Sequence, residues 1–92
     1  MREKEIERYF TKQVAKAGGK SYKWVSPGNP GVPDRIVLHG GMVFFVELKA
    51  PGGKLRATQL RAFRELMKFG KDVWILSSKK DVDEFIRAFL EV

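Results

Sequence analysis

The sequence predicts an α/β fold in the order αβββαβα, with a central mixed sheet flanked by helices. Three observations carry that prediction. The first and last segments place apolar residues at helical spacing, two apolar runs meet at Gly40-Gly41, and a strand, a helix and a strand then follow in succession. Residues 3–17 form the first helix, with Ile6, Phe10, Val14 and Ala17 on one stripe and Gly18-Gly19 ending it. Residues 20–26 (KSYKWVS) form the first strand, and the prolines and glycines of Pro27–Pro33 make a loop. Strands at 34–39 and 42–49 are joined by a two-residue turn, in which both glycines accept positive φ. A glycine-bearing loop at Pro51-Gly52-Gly53 leads to a helix at 57–69, which Gly70 ends. Residues 72–77 form a fourth strand, and the strand–helix–strand order implies a right-handed crossover with parallel pairing. Ser78 through Asp81 opens a last helix that turns Val82, Phe85, Ile86 and Phe89 inward.

Both faces of the hairpin are apolar. Ile36, Leu38, Val43 and Phe45 share one, and Val37, Phe44, Val46 and Leu48 share the other, so the pair is expected to be covered on both sides. The turn also fixes a register: His39 faces Met42, Leu38 faces Val43, Ile36 faces Phe45, and Asp34 falls opposite Glu47. Opposed like charges destabilise a sheet, and period-two alternation puts Lys49 on the face of Glu47. Two facing carboxylates beside an ammonium suggest a compensating cation. On the first helix, Glu3 lies near the centre of the apolar stripe and Glu7 at its edge. An inward carboxylate is costly unless paired or metal-bound, so Glu3 is either a further ligand or an acid at a frayed first turn, where the helix dipole favours it.

The chain of 92 residues reads as one small domain, 1–92, with a thin hydrophobic margin that dimerisation would widen. Eighteen Lys and Arg against eleven Asp and Glu give a net charge of +7, the footprint of a partner that is nucleic acid or another anionic surface. The absence of cysteine excludes disulfides and thiolate metal sites. The charged N-terminus is unlike a signal peptide, and no apolar run is long enough to span a bilayer, so an intracellular, cytoplasmic protein is expected.

Gly31-Val32-Pro33-Asp34 followed by Glu47-Leu48-Lys49 resembles the PD-(D/E)xK nuclease signature. Adding Glu3 at the start of the first helix, GVPDR at 31–35, FVELKAPGGK at 45–54 and the downstream Gln59, the chain resembles the VRR-Nuc domain in its stand-alone phage and bacterial form. Arg56-Ala57 departs from the Ser-Pro helix start common in that family. The resemblance implies a restriction-endonuclease-like core and metal-dependent hydrolysis of phosphodiesters. In that reading Asp34, Glu47, Glu3 and the Leu48 carbonyl bind Mg²⁺ or Mn²⁺, hard cations that favour oxygen ligands. Lys49 would hold the attacking water and stabilise charge on the phosphate, and Gln59 would orient water or Lys49. As an isolated cluster, Lys49 with Glu47 or Asp34 reads as a plain ion pair, a reading that the hairpin register and the GVPD context reverse, and Gln59 also suits capping its helix. His39, the sole histidine, lies about 16–17 Å of strand from Asp34 and reads as a turn residue.

For substrate contacts, Lys20, Lys23, Arg35, Lys54, Arg56 and Arg61 are candidates if they surround the carboxylates. Lys4, Arg8, Lys12 and Lys16 form a drifting basic strip that reads as a solvated face. Tyr22, Trp24 and Trp74 fall in strands and read as core or dimer contacts rather than base-stacking platforms. Gly28 and Gly31 would let the loop backbone approach a phosphate. With no recognition helix, the shape of branched DNA is a better expected target than a base sequence. A homodimer with paired sites would suit a four-way (Holliday) junction. A non-catalytic nucleic-acid-binding module and an accessory nuclease that needs a partner are the competing readings.

Overall fold

The computed structural model describes residues 1–91. It contains α1 (Glu3–Lys16), β1 (Lys20–Lys23), β2 (Arg35–His39), β3 (Met42–Leu48), α2 (Ala57–Lys68), β4 (Val73–Leu76) and α3 (Lys79–Phe85), which runs on into a π-helical turn at Ile86–Leu90. The order αβββαβα is the one expected. The sheet order is β1-β2-β3-β4, antiparallel across the first two pairings and parallel across the last, so a mixed sheet results. Among the described residues, no helix is long and apolar enough to cross a membrane.

The hairpin forms in the expected register, with His39 opposite Met42, Leu38 opposite Val43 and Ile36 opposite Phe45. Gly40 and Gly41 take φ of 55° and 81°, as a turn with two positive-φ positions requires. Because side chains alternate, this register puts Val37, Phe44, Val46 and Leu48 on one face. All four are buried there beneath α1 and α3, together with Ile6, Phe10 and Val14 of the predicted stripe. Burying each such side chain contributes roughly 1.5–3 kcal/mol, so this layer supplies most of the hydrophobic stabilisation. Asp81 helps fix where α3 starts: its N–H donates to the Ser78 hydroxyl, while its carboxylate accepts from the Ser77 N–H. Val82, Phe85 and Ile86 are buried as expected, and Phe89 packs on Trp74 with ring centroids 4.7 Å apart. The π turn, closed by the Glu91 N–H donating to the Ile86 carbonyl, also buries Leu90.

The second face departs from the expectation of equal cover. Leu38 is 42% exposed and Tyr22 is 51% exposed, while Ile36, Val43 and Phe45 are half-buried. The reason is that α2 is the helix that packs there, with Trp24 beside it on Phe45. Its buried Phe63 lies outside the continuous core, and the helix covers the end of the sheet nearest Glu47 while the turn end stays open. The fold thus has one fully covered face and one half-covered face, and Asp34 and Glu47 lie on the latter.

Candidate metal centre

The centre begins where the β2–β3 ladder ends. Beyond Arg35 the pairing continues through side chains instead of carbonyls. The Asp34 N–H donates to Glu47 Oε1 at 3.1 Å, and the Leu48 N–H donates to Asp34 Oδ2 at 3.2 Å. The Asp34 carbonyl accepts from the Trp24 N–H at 2.9 Å, which anchors the same residue to the strand on its other side. The two carboxylates therefore face each other as the turn register requires, and each is tied to the other's strand. Lys49 is held through its main chain, whose N–H donates to the Leu76 carbonyl at 3.0 Å. Its ammonium lies 3.6 Å from Glu47 Oε2.

Glu47 is only 1% exposed. Burial, and then the neighbouring Asp34 charge, push its carboxyl up to about 7, against the opposing pull of Lys49, the Asp34 N–H and the Gln59 amide. A buried acid in this condition is under-compensated by its protein partners. Glu3, exposed at the first turn of α1, brings a third carboxylate to the same place. One oxygen each from Glu3, Asp34 and Glu47 lie within 4.8 Å of one another. That span is close to the ~4 Å across an octahedral Mg²⁺ shell. The donors are all oxygens of charged groups, so the chemistry and the spacing both fit a hard divalent cation.

Gln59 caps its helix and holds a carboxylate in one arrangement. Its side-chain carbonyl accepts from the Arg56 N–H at 2.9 Å, capping α2, and its amide donates to Glu47 Oε2 at 2.8 Å. Its partner is thus Glu47 rather than water or Lys49. The loop before Asp34 is locked to the same helix end at Gly31. A Cβ there would lie 2.3 Å from the Thr58 carbonyl oxygen, and φ is +89°. The close approach that Gly31 permits is therefore to α2 backbone, whereas Gly28 faces open space. Sequence gives no signal for either long-range contact, because Gly31–Thr58 and Glu47–Gln59 depend on how α2 docks.

The candidate cationic residues divide. Lys20 pairs with Leu38 at the turn end, its ammonium 5.3 Å from the Tyr22 ring centroid, about 13 Å of strand from Asp34. Lys23 pairs with Arg35 at the acidic end, on the α1 side of the sheet. Arg35 forms an ion pair with Glu7 at 3.2 Å. Lys54 and Arg56 are exposed on the segment entering α2, and Arg61 is exposed on α2 itself. Three residues of the basic strip, Lys4, Arg8 and Lys12, line an open groove together with Arg35. Lys16 is not among the lining residues, since each four-residue step rotates it about 40° further round the helix. Lys4, Arg8 and Lys12 are exposed, as a solvated face requires. His39 lies far from the acidic centre, with Nε2 3.0 Å from the Ala17 carbonyl. Trp74 packs in the core, as expected of it.

No family model matches the chain. It is 48% identical over 80 residues to the protein named "Putative nuclease p44" of Acyrthosiphon pisum secondary endosymbiont phage 1, an alignment covering 86% of each chain. A solved structure of a VRR_NUC domain superposes with a TM-score of 0.85 at 31% identity, covering 95% of this chain and 96% of that one.

Proposed function

The chain belongs to the VRR-Nuc family, and from that premise we propose a metal-dependent, structure-selective DNA endonuclease that cuts branched DNA, four-way junctions among it, as a homodimer. The observation that carries this reading is the convergence of Glu3 of α1, Asp34 of the loop before β2 and Glu47 of β3 beside Lys49. In this proposal the three carboxylates and the Leu48 carbonyl hold Mg²⁺ or Mn²⁺. When bound, such an ion neutralises charge on a phosphodiester and lowers the pKa of water. The residues supply the rest. Lys49, with three N–H donors and no acceptor, holds the attacking water and offsets charge gathering on the phosphate oxygens. Gln59 keeps Glu47 Oε2 in one orientation, and its bond to the Arg56 N–H keeps Gln59 itself in place. The half-covered sheet face, with Tyr22 and Leu38 exposed, supports self-association.

One observation favours a second reading. Lys49 and Glu47 already form an ion pair, which is what a purely structural cluster in a nucleic-acid-binding module would contain. Labelled duplex, flap, splayed-arm and four-way-junction DNA, incubated with wild type or Lys49→Ala in Mg²⁺, Mn²⁺ or EDTA, separates the two. The nuclease reading predicts cutting by wild type alone, only with metal, and strongest on a branched substrate. Binding without cutting on every substrate would support the module, or an accessory nuclease lacking its partner.

A further inference from the structure

A cavity of about 390 Å³ lies between the Pro27–Pro33 loop and α2, apart from the carboxylates. Its lining includes Trp24, Ser26, Asn29, Thr58, Arg61 and Glu65. Trp24 is half-buried and packs on Phe45 at a centroid distance of 5.2 Å, so its ring is fixed while it also lines the cavity. Around this aromatic wall stand hydrogen-bonding groups of both kinds. Arg61 and Glu65, one turn apart on α2, are exposed, and neither forms an ion pair among the described residues. Asn29 is oriented by its amide donating to the Ser26 hydroxyl at 3.0 Å.

The cavity is joined to the acidic centre through the backbone. Thr58 precedes Gln59, which holds Glu47, and Val32, another lining residue, stands two positions before Asp34. Two residues span at most about 7 Å, so the cavity wall begins within one nucleotide's reach of the carboxylates. An occupant needs a flat π face for Trp24, and donors and acceptors on its edge for Arg61, Glu65 and Asn29. A nucleobase has both, and the volume lies in the range of small-ligand pockets. A base paired within a duplex cannot enter, because both its stacking faces and its edge are occupied. We propose that this cavity binds an unpaired nucleobase of the substrate strand, next to the phosphate presented to Asp34 and Glu47. The inference rests on the nuclease reading for its substrate, and it gives a domain without a recognition helix a means of selecting distorted or branched DNA.

The test is a binding cycle on splayed-arm DNA with one abasic position moved along the strand. Lys49→Ala protein in Mg²⁺ is compared with the same protein also carrying Trp24→Ala. At one position base removal should weaken binding about tenfold when Trp24 is present, and have no effect when it is absent. Ala62→Phe, which fills the cavity from the helix side and leaves Trp24 on Phe45, should reproduce the Trp24→Ala result, guarding against a folding defect. Base removal that is without effect at every position, or equally costly in both proteins, overturns the proposal. Cutting of the unmodified DNA by wild type reports separately on the nuclease reading: cutting without a sensitive base position rejects the base site alone, and a Trp24-dependent position without cutting rejects the nuclease alone.

Discussion

At the scale of single residues, Glu47 sets the character of the site. Its side chain is 1% exposed, faces Asp34, and has its carboxyl raised to about 7 by burial and by that neighbour. The unfolded chain releases this proton near its ordinary value of 4.5, so between about 4.5 and 7 the folded state binds more protons than the unfolded one. The stabilising effect of the protonated form is complete below 4.5 and is lost as pH rises through 7. In EDTA, urea unfolding should therefore show stability falling from pH 5 to pH 8, with at most about 3 kcal/mol from this group. Glu47→Gln should flatten that slope, and Mg²⁺ or Mn²⁺ should oppose it in wild type. A wild-type slope that is unchanged in Glu47→Gln would show that Glu47 is not under-compensated.

At the scale of elements, the site depends on α2 being locked to the loop that delivers Asp34. Gly31 makes that lock, with its missing Cβ against the Thr58 carbonyl, whereas Gly28 has a similar φ of +81° but no atom within 4 Å of a built Cβ. Gly28→Ala should then cost about 1 kcal/mol from backbone strain alone, and Gly31→Ala clearly more, because the helix must also move. Thermal unfolding of the two variants checks this; equal losses would mean that the contact is not a lock. The difference also marks what sequence can disclose. The Asp34–Glu47 facing was legible because a Gly-Gly turn converts counting into register, a local rule. The docking of α2 is set by contacts between residues far apart in the chain, so Gln59 was recognisable as a cap but not as the partner of Glu47. The open half of the second sheet face was hidden for a related reason: alternation reports which side chains share a face, not whether a 12-residue helix is long enough to cover it. The π turn, which buries Leu90, likewise has no counterpart in a regular 3.6-residue pattern.

At the scale of the whole molecule, the net charge of +7 is not spread evenly. Lys4, Arg8, Lys12 and Arg35 line one groove, with Glu7 as its carboxylate, and Lys4 and Arg35 are the chain neighbours of Glu3 and Asp34. If a DNA backbone follows the groove, Lys12→Ala should reduce the slope of log K against log salt by about one and weaken all DNA sequences alike. Fluorescence anisotropy across a salt series measures this, and an unchanged slope would place the backbone elsewhere. The exposed sheet residues lead to a separate expectation. Leu38→Lys should shift sedimentation from dimer to monomer without loss of fold, since Leu38 is 42% exposed and contributes little to the core. A wild-type monomer at working concentrations would remove the basis for paired cutting.

The proposed activity requires that Glu3, Asp34 and Glu47 together form a cation site. Titration of Mn²⁺ into the protein, followed by the electron paramagnetic resonance signal of the free ion, measures that site. Wild type should bind Mn²⁺ saturably, and both Asp34→Asn and Glu47→Gln should weaken binding at least about tenfold while each remains folded. Equal Mn²⁺ affinity in wild type and the two variants would contradict the cation site, and would leave the carboxylates as a structural cluster.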